Sequence, residues 1–335
     1  MIKIAIDGMG GDHAPDIVIK GIEMFLEKDT SDTEIICVCP EEEFRSAGGK
    51  EFLPRLKLVQ CDKYIPMDFK LSLSLFRDKD TTMYRIIEML KNHEIDVAYS
   101  AGNTAAFVSL AVGTLKMMTN IDRPAICVHL PNLKDSVTVF LDVGANVSPK
   151  VLNLYQYALM GDLYAKNVLD IKNPSVGLLN IGEEPGKGDE LRQKLFQRLN
   201  QDTELNFVGN IEGHELFTGK ADVVITDGFS GNIILKVSEG LGRSFKSIML
   251  KEIKRSVSGK IGFFIARNAL MEYARKTDYA EYGGGVLLGT NGVVTVSHGR
   301  SSPRAIYHAL VLSKRIAESS FFEQLREYSG KWVQQ

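Results

Sequence analysis

The chain has 335 residues, 44% of them hydrophobic and 24% charged, with a formal net charge of −2 at pH 7. That length fills one large or two ordinary domains with a substantial core, and the near-neutral balance excludes a dedicated nucleic-acid binder, which would be strongly basic. No apolar run reaches the ~20 residues that cross a bilayer, the start IKIAID reads as a strand rather than a secretion signal, and four cysteines without a CxxC pair fit a reducing compartment and offer no zinc site.

In chain order, residues 2–7 (IKIAID) predict a strand, and 17–28 (IVIKGIEMFLEK) predict a helix from apolar residues at helical spacing. Strands follow at 34–39 and 56–61, then a helix at 83–93, a strand at 96–100 and an apolar helix at 104–115. Further strands are predicted at 125–130, 137–144, 175–182, 205–211, 221–228 and 292–299. Repeated strand–loop–helix units with apolar, β-branched strands predict an α/β fold, a largely parallel sheet with helices on both faces. No tract rich in Pro, Gly or Ser divides the chain, so any division into lobes is interwoven rather than sequential.

The loops after these strands share a composition: DGMGGDHAP (7–15), SAGNT (100–104), DVGANVSP (142–149), NIGEEPGKG (180–188), GNIEG (209–213) and TDGFSGN (226–232). Glycine allows close backbone approach to a ligand, helix N-termini favour anions, and ligands bind at the carboxyl ends of strands in open α/β sheets. Asn103, Asn146, Asn180, Asn210 and Asn232 add amide donors, so an anion or phosphate site is expected among these loops. It is not a Walker site: GEEPGKGD has the wrong spacing and no hydroxyl after Lys187. GMGGDH carries His13 in place of the last glycine of a dinucleotide fingerprint. Asp7, Asp12 and His13 have no partner cluster of recognisable spacing, so no metal is expected. No GxSxG elbow occurs and no cysteine sits in a glycine-rich loop, which argues against an acyl-enzyme.

Lys187, flanked by glycines after an apolar strand, is the cation of most interest. His298 in SHGRSS follows a strand and precedes a helix at Pro303; it reads as an acid/base, an anion contact or a structural histidine. From Leu241 to Lys276 basic residues far outnumber acids and alternate with Phe245, Ile248, Ile261, Phe263, Phe264 and Ile265. This basic amphipathic helical segment predicts an acidic partner or a membrane surface.

Taken together and in order, IDGMGGDHAP, SAGNTAA, IDRPA, LDVGANV, QYALMG, GLLNIGEEPGKG, FVGNIEG, ADVVITDGFSGNIILK, EYGGGVLLG and HGRSS resemble the phosphate acyltransferases of the PlsX family, over nearly the whole chain. The segment 76–82 is less basic than the family pattern, and Asn153 and His214 stand where it often has His and Arg. The resemblance implies a fold like that of the isocitrate and isopropylmalate dehydrogenases and phosphate acetyltransferases. It implies a single catalytic domain over 1–320, open to description as two interwoven lobes about a cleft, with a C-terminal tail at 321–335. The implied activity is attack of inorganic phosphate on the thioester of fatty acyl-acyl carrier protein, giving acyl phosphate for phospholipid synthesis, with no cofactor. On this reading Lys187, Asn232 and His298 are catalytic, with His298 protonating the leaving thiolate. Gly10, Gly11, Asp12, His13, Ser100, Asn103, Thr104, Asn146 and Asn180 bind phosphate or substrate. Arg243, Lys246, Lys251, Lys254, Arg255, Lys260, Phe263, Phe264 and Arg267 contact carrier protein or membrane. The implied state is a cytoplasmic, peripherally membrane-associated homodimer that hands its product to a membrane glycerol-3-phosphate acyltransferase. The competing readings are a phosphate acyltransferase using short acyl-CoA, an NAD-dependent decarboxylating dehydrogenase, and a non-enzymatic membrane scaffold.

Overall fold

The apolar runs pair into one continuous sheet in the computed structural model, which describes residues 1–49, 54–276 and 283–332, with backbone alone for 274–276. The first half comprises β1 (Ile2–Asp7), α1 (Asp16–Lys28), β2 (Thr33–Cys39), α2 (Glu41–Ser46), β3 (Leu56–Gln60), α3 (Thr82–Lys91), β4 (Val97–Ser100), α4 (Thr104–Leu115), β5 (Ala125–Pro131) and β6 (Val137–Leu141). The second comprises α5 (Val151–Val168), β7 (Ser175–Asn180), α6 (Glu190–Gln201), β8 (Asn206–Glu212), β9 (Val223–Ile225), α7 (Gly228–Arg255), α8 (Val257–Lys276), β10 (Gly285–Leu288), β11 (Val293–Val296), α9 (Pro303–Glu318) and α10 (Phe321–Lys331).

The strand order is β3-β2-β1-β4-β11-β10-β5-β6-β9-β7-β8. Neighbours are parallel except where β10 meets β11 and β5, and where β5 meets β6. The fold is therefore α/β with a largely parallel sheet, but those antiparallel pairings reverse its direction: β3, β2, β1, β4 and β11 run one way, and β6, β9, β7 and β8 the other. Strands twist by roughly 20–25° each, so the steps from β1 to β9 accumulate roughly 120–150°. That rotation swings the carboxyl ends of the second block back towards those of the first.

Both sheet faces are covered, as the unbroken burial of β2 requires. Ile4 and Ile6 enter the core on one face and Ala5 the core on the other. α1 buries Val18, Ile19, Ile22, Phe25 and Leu26, a helical stripe, against α9, and Gly21 admits the Ile306 side chain where a Cβ would collide with it.

The predicted strands at 137–144, 175–182 and 221–228 overrun the observed ends at Leu141, Asn180 and Ile225. Each stops where a polar side chain turns back on its own loop. Asp142 accepts from Gly144, Ala145 and Asn146, Asn180 accepts from Ile181, and Asp227 accepts from Ser230. The segment expected to be a tail, 321–335, is over 321–331 the helix α10. Phe321 and Leu325 are fully buried, and the Phe321 ring stands edge-on to Tyr164 of α5 at 5.3 Å and 82°. These apolar side chains belong to the core.

Replacing Phe321 by alanine should cost about 3–5 kcal/mol of unfolding free energy in urea titrations, the range for a buried aromatic. A loss below about 0.5 kcal/mol, typical of surface changes, would show that α10 is not part of the core.

Candidate active site

β6 leads into Asp142, whose carboxylate is fully buried. It accepts backbone N–H bonds from Ile126 (2.9 Å), Gly144 (3.0 Å), Ala145 (3.0 Å) and Asn146 (2.7 Å). Burial pushes its pKa up, while these N–H donors favour the ionised form. The Asn146 carbonyl then accepts from Gly228, the first residue of α7, at 2.9 Å. A Cβ at Gly228 would strike the Asp142 carboxylate, and one at Gly231 would strike the Asp142 carbonyl. Glycine at both positions lets α7 dock directly on this turn. Asn232, the next residue, lies over Gly144; it is exposed and makes no hydrogen bond among the described residues. An uncommitted amide is thus held at a fixed place.

The loop after β7 is braced by two buried asparagines. Asn180 Nδ2 donates to the Lys187 carbonyl (3.0 Å) and to Asn210 Oδ1 (3.1 Å), and its Oδ1 accepts from Ile181 (2.9 Å). Asn210 Nδ2 donates to the Glu184 carbonyl at 2.8 Å. Lys187 is exposed, and its nearest carboxylate, that of Glu184, is 3.9 Å away and largely solvated. Such a contact is worth little, so the ammonium is available to an anion.

Arg192, on the first turn of α6, ties this loop to α7. It donates to Asp227 Oδ2 at 2.5 Å, to Asp189 Oδ2 at 2.7 Å and to the Leu179 carbonyl at 3.4 Å. Asp227 caps α7 through the Ser230 N–H (2.8 Å) and accepts the Ser230 hydroxyl (2.8 Å). Burial alone would raise the Asp227 pKa; the Ser230 donors and then Arg192 more than offset it and hold the carboxyl below its usual range. Sequence reading missed Arg192, because its partner lies on another element and nothing local distinguishes it from a solvated helix arginine.

The loops after β1, β4 and β11 form a second group. The Asp12 N–H donates to the Gly299 carbonyl (2.8 Å), and Arg300 lies 3.6 Å from the Asp12 carboxylate. Gly10 and Gly11 pack closely against the Ser100–Gly102 turn and Gly299, while His13 and Thr104 are exposed. The Arg300 N–H donates to His298 Nδ1 at 3.1 Å, which leaves the neutral ring's proton on Nε2. Burial, with the charges of Lys236, Arg243 and Arg300, pushes the His298 pKa down against the opposing Glu239. Lys236, Glu239 and Arg243 all belong to α7. The helix that carries Asn232 therefore extends to His298, and Glu239, on the same face as Asn232, lies about 10 Å further along it.

Several residues expected to bind phosphate or substrate make hydrogen bonds inside the protein. Ser100 is buried; its hydroxyl donates to Asp7 (2.7 Å) and accepts from Gly102 (3.0 Å). Asn103 caps α4 through Ala106 (3.0 Å), and its Nδ2 donates to the Met67 and Phe69 carbonyls. Asn180 is spent on the loop described above. Asn146 donates its amide to Tyr157 Oη at 3.1 Å. Lys187, Asn232, His298, His13 and Thr104 keep available groups.

Arg243, Lys246, Lys251, Lys254, Arg255, Lys260, Arg267 and Phe264 are exposed on α7 and α8, while Phe263 is half-buried. Val237, Leu241, Phe245 and Ile248 are exposed along one face of α7, and Val257, Ile261, Phe264 and Ile265 are exposed on α8. No helix among the described residues is long and apolar enough to cross a membrane. Those residues also hold no cluster of His, Cys, Asp or Glu fit for a metal, and the four cysteines are free and buried.

Lys187 thus presents an exposed ammonium, and Asn232 an amide without a side-chain hydrogen bond among the described residues, on elements joined through Arg192. Two solved phosphotransacylases share the fold. A branched-chain phosphotransacylase from Enterococcus faecalis V583 matches with TM-score 0.58 and 14% identity over 94% of this chain and 99% of that one. The EutD phosphotransacetylase from Staphylococcus aureus matches with TM-score 0.60 and 14% identity over 94% of each. Residues 2–324 match the family described as "Fatty acid synthesis protein". Proteins named "Phosphate acyltransferase" from S. aureus strains bovine RF122 / ET3-1 and MRSA252 are 40% and 41% identical over 331 residues, 99% of each chain. The chain belongs to this family, the PlsX-type phosphate acyltransferases.

Arg192→Ala should cost about 1–3 kcal/mol of stability at pH 7, the penalty for leaving a buried acceptor short of its donor. The Asp227 pKa is lowered by folding, so its contribution is complete above the ordinary carboxylate value and is lost as pH falls through the folded value. Urea titrations should therefore give a constant gap between wild type and variant above about pH 4 that narrows below it. A gap independent of pH would show that the ion pair is not its source.

Proposed function

We propose that this chain transfers a fatty acyl group from acyl-acyl carrier protein to inorganic phosphate by direct attack on the thioester. The observation that carries the proposal is the pair Lys187 and Asn232, donors without a strong partner among the described residues, one on a loop and one on α7, in a member of the phosphate acyltransferase family. A phosphate oxygen forms the new C–O bond to the carbonyl carbon, the C–S bond breaks, and the proton of hydrogen phosphate ends on the departing thiol. Phosphate is already a nucleophile, so the protein's task is positioning and charge stabilisation. Lys187 offsets charge on the phosphate or the oxyanion, and Asn232 Nδ2 donates to the oxyanion. His298, neutral with its proton on Nε2, offers a hydrogen bond to the leaving sulfur rather than a standing acid. The Gly10–His13 loop, whose Asp12 N–H bonds to Gly299 next to His298, and Thr104 are the further proposed contacts to phosphate or substrate.

The exposed bases of α7 and α8 suit an acidic carrier protein, and steering by such charges acts on encounter more than on chemistry. The apolar stripe Val237, Leu241, Phe245 and Ile248 has the three- and four-residue spacing of a helix-packing seam, and a second copy of this chain is its proposed occupant. Ile261, Phe264 and Ile265 are the proposed membrane contacts.

The test is incubation of the purified protein with long-chain acyl-acyl carrier protein and phosphate, with hydroxylamine trapping of acyl phosphate. Phosphate-dependent product that acyl-CoA does not replace is expected, and product from acyl-CoA alone would overturn the donor. Lys187→Ala and Asn232→Ala should each lower kcat at least about 100-fold, as removal of one oxyanion donor does, with unchanged melting temperature. Near-normal kcat in either would remove that residue from the chemistry. Because the His298 pKa is depressed, kcat/KM should show no His298-linked fall between pH 8 and its ordinary value of 6.5; a fall there that is absent in His298→Asn would contradict the neutral-donor role.

Neutralising Arg243, Lys246 and Lys254 together should raise KM for the acyl carrier protein and flatten its salt dependence while leaving kcat close to wild type. An unchanged KM would assign these residues to a solvated face.

A further inference from the structure

Between β7, the start of α6 and the start of α7 lies an open cleft of about 470 Å³, within the size range of small-molecule sites. Its walls include Leu179, Ile181, Arg192, Gly213, Ser230 and Ile234. It adjoins the Lys187 loop directly: Gly188 and Asn180 also line it, and Asn180 holds the Lys187 carbonyl.

The polar groups here are bonded to one another. Arg192 is taken by Asp189 and Asp227, the Ser230 hydroxyl by Asp227, and the Asn180 amide by Lys187 and Asn210. One guanidinium faces two carboxylates, so the local charge is negative and disfavours phosphate. What the cleft still offers is hydrocarbon: Leu179, Ile234 and Ile181, the last of them 81% exposed. Apolar walls beside the Lys187 loop suit an apolar ligand.

We infer that this cleft receives the acyl chain of the thioester donor, so that Leu179, Ile181 and Ile234 set which chain lengths are used. The inference rests on the acyl-transfer reading: a carbonyl held at Lys187 would place the first carbons of its chain at Gly188 and Asn180, the mouth of the cleft. Burial of chain against these side chains supplies binding energy that grows with each methylene until the cleft is full.

Two measurements on the full chain test this. In the first, a long-chain acyl-acyl carrier protein with a terminal diazirine is photolysed on the protein and the labelled peptides are mapped. Label is expected at residues 179–181, 213 or 230–234, and unmodified long-chain donor should suppress it. In the second, kcat/KM is compared for donors of increasing chain length in wild type, Ile181→Ser and Gly213→Leu. Ile181 is exposed, and a Cβ at Gly213 meets nothing within 4 Å, so neither change disturbs the core. Both variants should lose about tenfold or more on the longest donors, the scale on which apolar sites discriminate methylenes, with short donors unaffected. Label confined to other surfaces, or equal losses at every chain length, would overturn the cleft assignment. Should wild type form no acyl phosphate from any donor, the transfer reading falls, while the position of the label still decides whether an acyl chain occupies the cleft.

Discussion

The buried carboxylate of Asp142 is the constraint on which the site depends. A charge placed at the end of a central strand, out of water, must be met by donors, and the chain meets it with N–H groups from β5 and from the turn that follows β6. Satisfying the charge fixes the turn, and the turn provides the carbonyl that anchors α7. Gly228 and Gly231 then allow contact so close that α7 has little freedom to shift. Asn232 is carried on the result. Its lack of a partner is a consequence of this scaffolding, since rigid neighbours hold the amide where it would otherwise find a bond for itself.

Arg192 performs the matching task for Lys187. The Lys187 loop is rich in glycine and would wander if left alone, so Asn180 and Asn210 hold its carbonyls while Arg192 joins its base to the cap of α7. Cation and amide are thereby referred to one helix. The same helix reaches His298, at the end of a strand from the oppositely directed block, and sheet twist makes that meeting possible. A reaction in which phosphate is the nucleophile requires this kind of geometry and little more: charge at one place, an N–H at another, and both held still.

Much of this was legible in the chain itself. Strands such as IKIAID and EIICVC announce themselves by unbroken apolar, β-branched runs, and the glycine-rich ends marked the loops that form the cleft. The direction reversal was not legible, because β10 is four residues long and nothing local sets its antiparallel pairing. α5 is buried on nearly every side, so it lacks the apolar–polar alternation that betrays an amphipathic helix. The asparagines were the least decodable feature. Asn103, Asn180 and Asn232 all sit in glycine-bearing motifs at strand ends in the sequence, yet two brace the backbone and the third has no side-chain hydrogen bond among the described residues, and only three-dimensional partners separate them. Arg192 and Asp227 meet across 35 positions of sequence, beyond the reach of any spacing rule.

Direct attack by phosphate is the central chemical claim, and it is most sharply opposed by an acyl-enzyme. The four cysteines are buried, and the hydroxyls of Ser100 and Ser230, each donating to a carboxylate, are the groups such an intermediate would draw on. The decisive measurement is the intact mass of the protein after mixing with long-chain acyl-acyl carrier protein in the absence of phosphate, followed on addition of phosphate. Direct attack gives an unmodified protein mass throughout, with acyl phosphate appearing only after phosphate is added. A stoichiometric acyl adduct that forms without phosphate and is discharged by it would contradict the account and require a nucleophile on the chain.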